Sequence, residues 1–145
     1  RHRSRENHQR TTPTSDVRMK RKRLRSLKAI RRQLDQAFSR FIRQRDAVRE
    51  GDYASCFTCG QVKHWTAGHA GHFVQRQYLA TRFDERNCHF QCIFCNLYRH
   101  GALAEYTIAM QQKYGPEVVD ELLQAKHRTV KLTRSDYEAL LAKYS

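Results

Sequence analysis

From Met19 to Arg49 apolar side chains return at three- and four-residue steps, at Leu24, Leu27, Ile30, Leu34, Ala37, Phe38, Phe41, Ile42 and Val48, while Arg and Lys fill the remaining faces. The pattern predicts one long basic amphipathic helix over residues 19–51, stopped by Gly51 and Asp52. Residues 53–95 hold no helical period. Short β-prone pieces (Val62–Thr66, His72–Val74, Cys88–Phe90) alternate there with Gly, Asp and Asn, which predicts a small hairpin or ribbon. Residues 96–113 turn helical again with a bend near Gly101, and Gly115-Pro116 ends one helix and starts the next at Glu117, whose apolar face is Val118, Val119, Leu122 and Leu123. A last helix begins at Thr133, capped with Asp136, and carries Tyr137, Leu140 and Leu141. Residues 1–18 are polar and basic without periodicity, so they bury too little to offset the entropy of ordering and form a disordered tail. The expected class is α+β, with a tail (1–18), a helix (19–51) and one small domain (52–145).

Charge changes this picture. The chain of 145 residues has 28 Lys and Arg against 14 Asp and Glu, a net charge of +14. Its first fifty residues hold 17 of the bases and 5 of the acids, so they form an electrostatic arm. A field of that sign attracts polyanions, and nucleic acid is the expected partner. There is no run of eighteen apolar residues and no secretory h-region, so no membrane partner is expected and the setting is intracellular.

Four of the five cysteines fall as Cys56-x2-Cys59 and Cys92-x2-Cys95. Each pair can turn both sulfurs to one point, and two pairs complete the tetrahedral thiolate shell that zinc prefers. Such a shell is closed, which makes the site structural. The 32 residues between the pairs are an insert whose ends the metal staples together, and any chemistry belongs inside it. Cys88 is left over as a packed strand residue.

The insert and its exit carry His69, His72, Asn87, Asn96 and His100 in that order. A hairpin followed by a helix would turn them to one cleft. A neutral imidazole that takes a proton from water, beside a divalent cation that carries developing charge, suits phosphodiester hydrolysis. An amide such as Asn87 can hold a loop or an imidazole in its working orientation.

The segments Phe38-Ser-Arg-Phe-Ile-Arg-Gln-Arg-Asp46, CxxCG, Ala70-Gly-His-Phe73, Arg82-Phe-Asp84-x2-Asn87 and Gln91-Cys-x2-Cys-Asn96-x3-His100-Gly101 together resemble the Rap/NinG recombination endonucleases of lambdoid phages, over about residues 24–127. The resemblance implies a ββα-metal (HNH-like) core, Mg2+-dependent cleavage, and branched DNA such as Holliday junctions and D-loops as substrate, in the host cytoplasm if the chain is phage-encoded. It implies His72 as general base, Asn87 as the central Asn, and Asn96 with His100 as ligands of the catalytic cation. Many HNH enzymes have an Asp ligand just before the base, where this chain has Gly71, so the third ligand falls to His69 or to Asp84. A shell of nitrogen donors would draw softer ions than Mg2+.

Lys20, Arg21, Lys22, Arg23, Arg43 and Arg45 are the expected phosphate contacts of the arm, with Arg76, Arg82 and Arg99 nearer the scissile phosphate. Neutralising six phosphates would give a salt slope of about −5. The apolar stripe Leu27–Ile42 must pack on the zinc core or on a second copy, and a homodimer would suit a four-way substrate. The rival to the enzyme is a zinc-stabilised DNA-binding accessory protein that does not cut; an RNA-directed role is the weaker third.

Overall fold

A computed structural model describes residues 24–145; the tail and Lys20–Arg23 lie outside the described residues. Helix α1 spans Leu27–Arg45, shorter at both ends than the periodicity predicts. Its start is set by Ser26, whose Oγ accepts from the amide of Ala29 at 3.2 Å and relieves one unpaired donor of the first turn. At the far end Asp46 leaves the helix because its carboxylate accepts from the amide of Phe90 at 2.8 Å. Arg45 beside it donates to the carbonyls of Glu85 (2.8 Å) and Cys88 (2.7 Å), so the helix end is tied to a strand. Gly51 and Asp52, both at positive φ (74° and 63°), make the later turn.

Two small antiparallel ribbons follow. Strands β1 (Tyr53–Ser55) and β2 (Val62–His64) flank the first cysteine pair; β3 (Gly68–His72) and β4 (Cys88–Cys92) pair from Gly68↔Cys92 to His72↔Cys88. Strand β3 starts four residues before the expected His72–Val74 piece. Glycines carry no β signal, yet these two are required by contact: a Cβ on Gly68 would lie 2.4 Å from the Phe90 ring, and one on Gly71 1.9 Å from Gln91 Oε1. Between the strands the chain forms the short helix α2 (Leu79–Arg82), which the pattern does not predict. After β4 comes a π-helical turn, Phe94–Tyr98, and then His100, Gly101 and Ala102 at φ 51°, 92° and 47° reverse the chain into α3 (Leu103–Tyr114). Helices α4 (Pro116–Ala125) and α5 (Arg134–Tyr144) complete the order; α5 has the expected capping box between Thr133 and Asp136.

The stripe of α1 finds its cover within the chain. Ile30, Leu34, Phe38 and Ile42 are buried with Cys88 of β4 and Tyr137 and Tyr144 of α5. At roughly 1.5–3 kcal/mol per buried side chain, that face fixes α1 against β3, β4 and α5. A second cluster, Phe73, Val74, Tyr106, Met110, Val119 and Leu122, holds α3 and α4 to the other side. Between them runs a buried polar chain. Tyr114 donates to His89 Nε2 (2.8 Å), His89 Nδ1 donates to the Tyr106 oxygen (3.1 Å), and the Tyr106 hydroxyl donates to the carbonyl of Gly71 (2.7 Å). That order satisfies every member with a neutral imidazole, and burial pushes the His89 pKa down to about 3. No helix among the described residues is long and apolar enough to cross a membrane.

Candidate metal centre and histidine cleft

Cys56, Cys59, Cys92 and Cys95 converge as their spacing requires. Their sulfurs all lie within 4.8 Å of one another, with Cys59 and Cys92 3.7 Å apart. A tetrahedron of zinc–sulfur bonds of about 2.3 Å has edges of about 3.8 Å, so the residues fit such an ion. The electrostatics agree. Burial pushes the Cys59 thiol up to about 12, with neighbouring sulfurs adding to the effect, and raises Cys92 too. Burial also raises Cys56, but hydrogen bonds from Thr58 and backbone amides outweigh it and bring it down to about 6. The protein groups alone thus favour the thiolate at Cys56 and oppose it at Cys59 and Cys92, an opposition that a divalent cation between the sulfurs would offset. The four cysteines can hold a metal ion such as zinc. Cys88 stays apart, fully buried in the α1 core.

The ion site anchors the hairpin that carries His72. One cleft of about 430 Å³ is lined by His69, His72, Asn96 and His100, together with Asp35, Phe38 and Ser39 of α1 and Arg76. His72 Nε2 donates to the carbonyl of Arg82 at 2.9 Å, which fixes the tautomer and leaves Nδ1 with its lone pair free. Burial pushes its pKa below the ordinary histidine value, and Arg76 and Arg82 push the same way; the carbonyl bond and Asp35 oppose them. The imidazole is therefore neutral at neutral pH, the form a base requires.

Asn87 does not line this cleft. Its Oδ1 accepts from the amide of Val74 (2.7 Å) while Nδ2 donates to the carbonyls of Val74 (2.9 Å) and Thr81 (3.1 Å). All of this is buried, so its side chain is a clamp on the loop 74–81 and, through it, on the Arg82 carbonyl that orients His72. Its polar atoms therefore act on the cleft only through that loop.

Asn96 Nδ2 donates to His69 Nδ1 at 2.9 Å, and His100 projects from the left-handed turn. These three share the cleft. Among the described residues the cysteine tetrad is the only group of three or more His, Cys, Asp or Glu close enough to share an ion. Asp84, the other candidate for a third ligand, is turned away: its carboxylate takes Nε and Nη2 of Arg86 at 3.1 and 2.9 Å. The glycine before His72 has a local cause, because the Gln91 side chain occupies the space an Asp there would need. Gln91 Nε2 in turn donates to Thr58 Oγ1 (3.0 Å) beside the cysteines and to the carbonyl of Gly101 (2.9 Å), so it braces the His100 turn against the metal knuckle.

The expected phosphate contacts divide. Arg43 donates to the carbonyl of Trp65 (3.3 Å) and lies over its ring, and Arg45 is turned inward onto backbone carbonyls, which removes it from the solvent-facing set. Arg99 pairs with Glu105 on an exposed surface. Arg76 lines the cleft and Arg82 the adjoining recess, and both hold Asp35 of α1. Asp35 is the residue that sequence reasoning passed over. Its signal was present as a lone acid in a face of Arg31, Arg32 and Arg40, where a solvated surface would mix signs.

The fold and site together define a small mixed helix-and-ribbon protein, built on a four-cysteine cluster able to hold a metal ion and opening a histidine-lined cleft. The family model described as Bacteriophage Lambda NinG protein matches residues 1–145, and the chain belongs to this NinG family of lambdoid phage proteins. It is 36% identical over 115 residues to "Protein ninG" of Escherichia phage 933W, covering 78% of this chain and 53% of that one. It is 34% identical, again over 115 residues, to the proteins of the same name from Salmonella phage P22 (78% of this chain, 53% of that one) and Escherichia phage lambda (78% and 52%). The chain thus spans about half the length of the curated relatives it matches. No solved structure matches it.

Proposed function

We propose that the protein is a metal-dependent, HNH-type endonuclease acting on branched DNA. The observation that carries this reading is the neutral imidazole of His72, held by the Arg82 carbonyl at a cleft that also holds His69, Asn96 and His100. The antiparallel ribbon β3–β4 followed by the π turn supports it, since a hairpin running into a helix is the ββα-metal arrangement. In the proposed reaction His72 Nδ1 takes a proton from water as the oxygen attacks the phosphorus. Asn96, His100 and His69 are the donors that would hold a divalent cation, whose chemistry there is to stabilise negative charge on the phosphoryl and leaving 3′ oxygens. Asn87 and Gln91 keep the base and the His100 turn in place. Contacts to phosphates select shape over sequence, which suits branched substrates.

One observation favours a second reading, a non-cutting DNA-binding accessory protein: no three of the cleft's His and Asp side chains are close enough to share an ion, as the cysteines are. The test is cleavage of a synthetic four-way junction beside a linear duplex, with Mg2+, Mn2+ or Ni2+. Cutting that disappears in His72→Ala while junction binding persists supports the enzyme. Binding with no cutting under any of these ions supports the accessory protein.

A further inference from the structure

We infer that the Asp35 carboxylate occupies a phosphate seat between Arg76 and Arg82, in a basic groove that leads from the histidine cleft along α1, and that a backbone phosphate of bound nucleic acid displaces it. The inference rests on the nucleic-acid reading above but needs no cleavage.

Arg82 grips the carboxylate with two parallel bonds, Nε to Oδ1 at 2.9 Å and Nη2 to Oδ2 at 2.5 Å, and Arg76 Nη2 reaches the same Oδ2 at 3.1 Å. Two guanidiniums around one anion is the geometry that recognises a phosphate, because the planar fork fits two oxygens of either group. The trio keeps a net positive charge. Its surroundings are of the same sign: a recess of about 490 Å³ adds Lys28, Arg31 and Arg32, and a neighbouring one of about 620 Å³ adds Arg40 and Arg43. Asp35 and Arg76 line both recesses and the histidine cleft as well, so the three hollows meet at this ion cluster. Among the described residues Asp35 is the one acid lining any of them.

A stabilising surface ion pair would need no such concentration of cations around it, and exposed pairs contribute little to stability in any case. Here the carboxylate keeps two facing guanidiniums from repelling each other and holds their forks ready. Arg76 is 61% exposed at its side chain, so an incoming phosphate has access to the cluster. A strand whose phosphate takes this seat runs directly into the cleft beside His72. The partner is therefore a polyphosphate backbone, read by charge and spacing.

The test is binding of a labelled four-way junction to the zinc-loaded chain over a salt series with no other divalent cation. Asp35→Asn should bind several-fold tighter at low salt, since the phosphate no longer has to displace a carboxylate from the two guanidiniums. Asp120→Asn on α4 removes the same charge elsewhere and should change little. Asp35→Asn with Arg76→Gln should lose most of the gain. Equal or weaker binding by folded Asp35→Asn, or an equal gain from Asp120→Asn, overturns the seat. If Asp35→Asn does not fold, the carboxyl carbon resonance of Asp35 in the wild type serves: it should move when the junction is added, and a fixed resonance overturns the inference. A wild type that binds no junction at low salt removes both this and the nucleic-acid reading. Tighter binding by Asp35→Asn with no cutting under any metal leaves the seat standing and removes only the nuclease.

Discussion

His72 donates its Nε2 proton to the carbonyl of Arg82 across 2.9 Å, and this one bond fixes the tautomer and leaves Nδ1 unprotonated. The acceptor is main chain, so no substitution at residue 82 deletes it. The orientation is instead secured by whatever holds the segment 74–82, which makes remote residues matter to the base.

Under the proposed nuclease reading, cleavage should depend on pH through the His72 imidazole. Burial sets its pKa below the ordinary value of about 6.5. A base acts when deprotonated, so activity should rise through an acid limb centred below about 6.5 and stay level above it until another group titrates. A pH–rate profile at saturating metal measures this, and an acid limb centred above 7 would contradict the burial argument.

Asn87→Ala should destabilise the fold and misplace the base together. It strands the amide and carbonyl of Val74 and the carbonyl of Thr81, all paired with the Asn87 amide at 2.7–3.1 Å. Three lost bonds and buried unpaired groups cost about 3 kcal/mol. Urea unfolding should show a lower midpoint, and folded Asn87→Ala should still bind junction DNA while cutting it slowly. Unchanged stability would mean the clamp is not needed.

Zinc removal should loosen the molecule unevenly. Cys56 and Cys59 tether the β1–β2 ribbon, and Cys92 and Cys95 tether the π turn, whereas Cys88 and Phe90 of β4 are also held by the α1 core and by Asp46. After chelation, hydrogen exchange should rise first over residues 53–66 and 93–101, with α1 and α5 still protected. Protection retained in the ribbon would argue that the cysteines hold no structural ion.

Acid should unfold the protein through His89. Its folded pKa is about 3 because the ring is buried, while the unfolded chain titrates near 6.5. Below about 6.5 the unfolded state takes a proton that the native state refuses, so stability falls by up to about 1.4 kcal/mol per pH unit on the way to 3. His89→Gln should flatten that dependence in thermal melts between pH 6 and 4, a range chosen at roughly the midpoint of the window. An equally steep fall in His89→Gln would assign the acid sensitivity elsewhere.

The sequence by itself determined the features written in local periodicity and spacing. The α1 stripe, the Gly115-Pro116 break between two helices, the Thr133–Asp136 capping box and the two CxxC pairs are each set by residues a few positions apart, so their physics is visible along the chain. Periodicity could not show where α1 ends, because Asp46 leaves the helix for the amide of Phe90, far away in sequence. Nor could it separate reacting from supporting side chains. Asn87 and Arg45 carry the residue types of a reacting site, and only packing turned their polar atoms onto buried backbone; Asp35 looked like a break in a basic face until folding set Arg76 and Arg82 around it. Hydrogen-bond partners separated by tens of residues are chosen by the tertiary structure, since direction and desolvation, and not composition, decide which donor meets which acceptor.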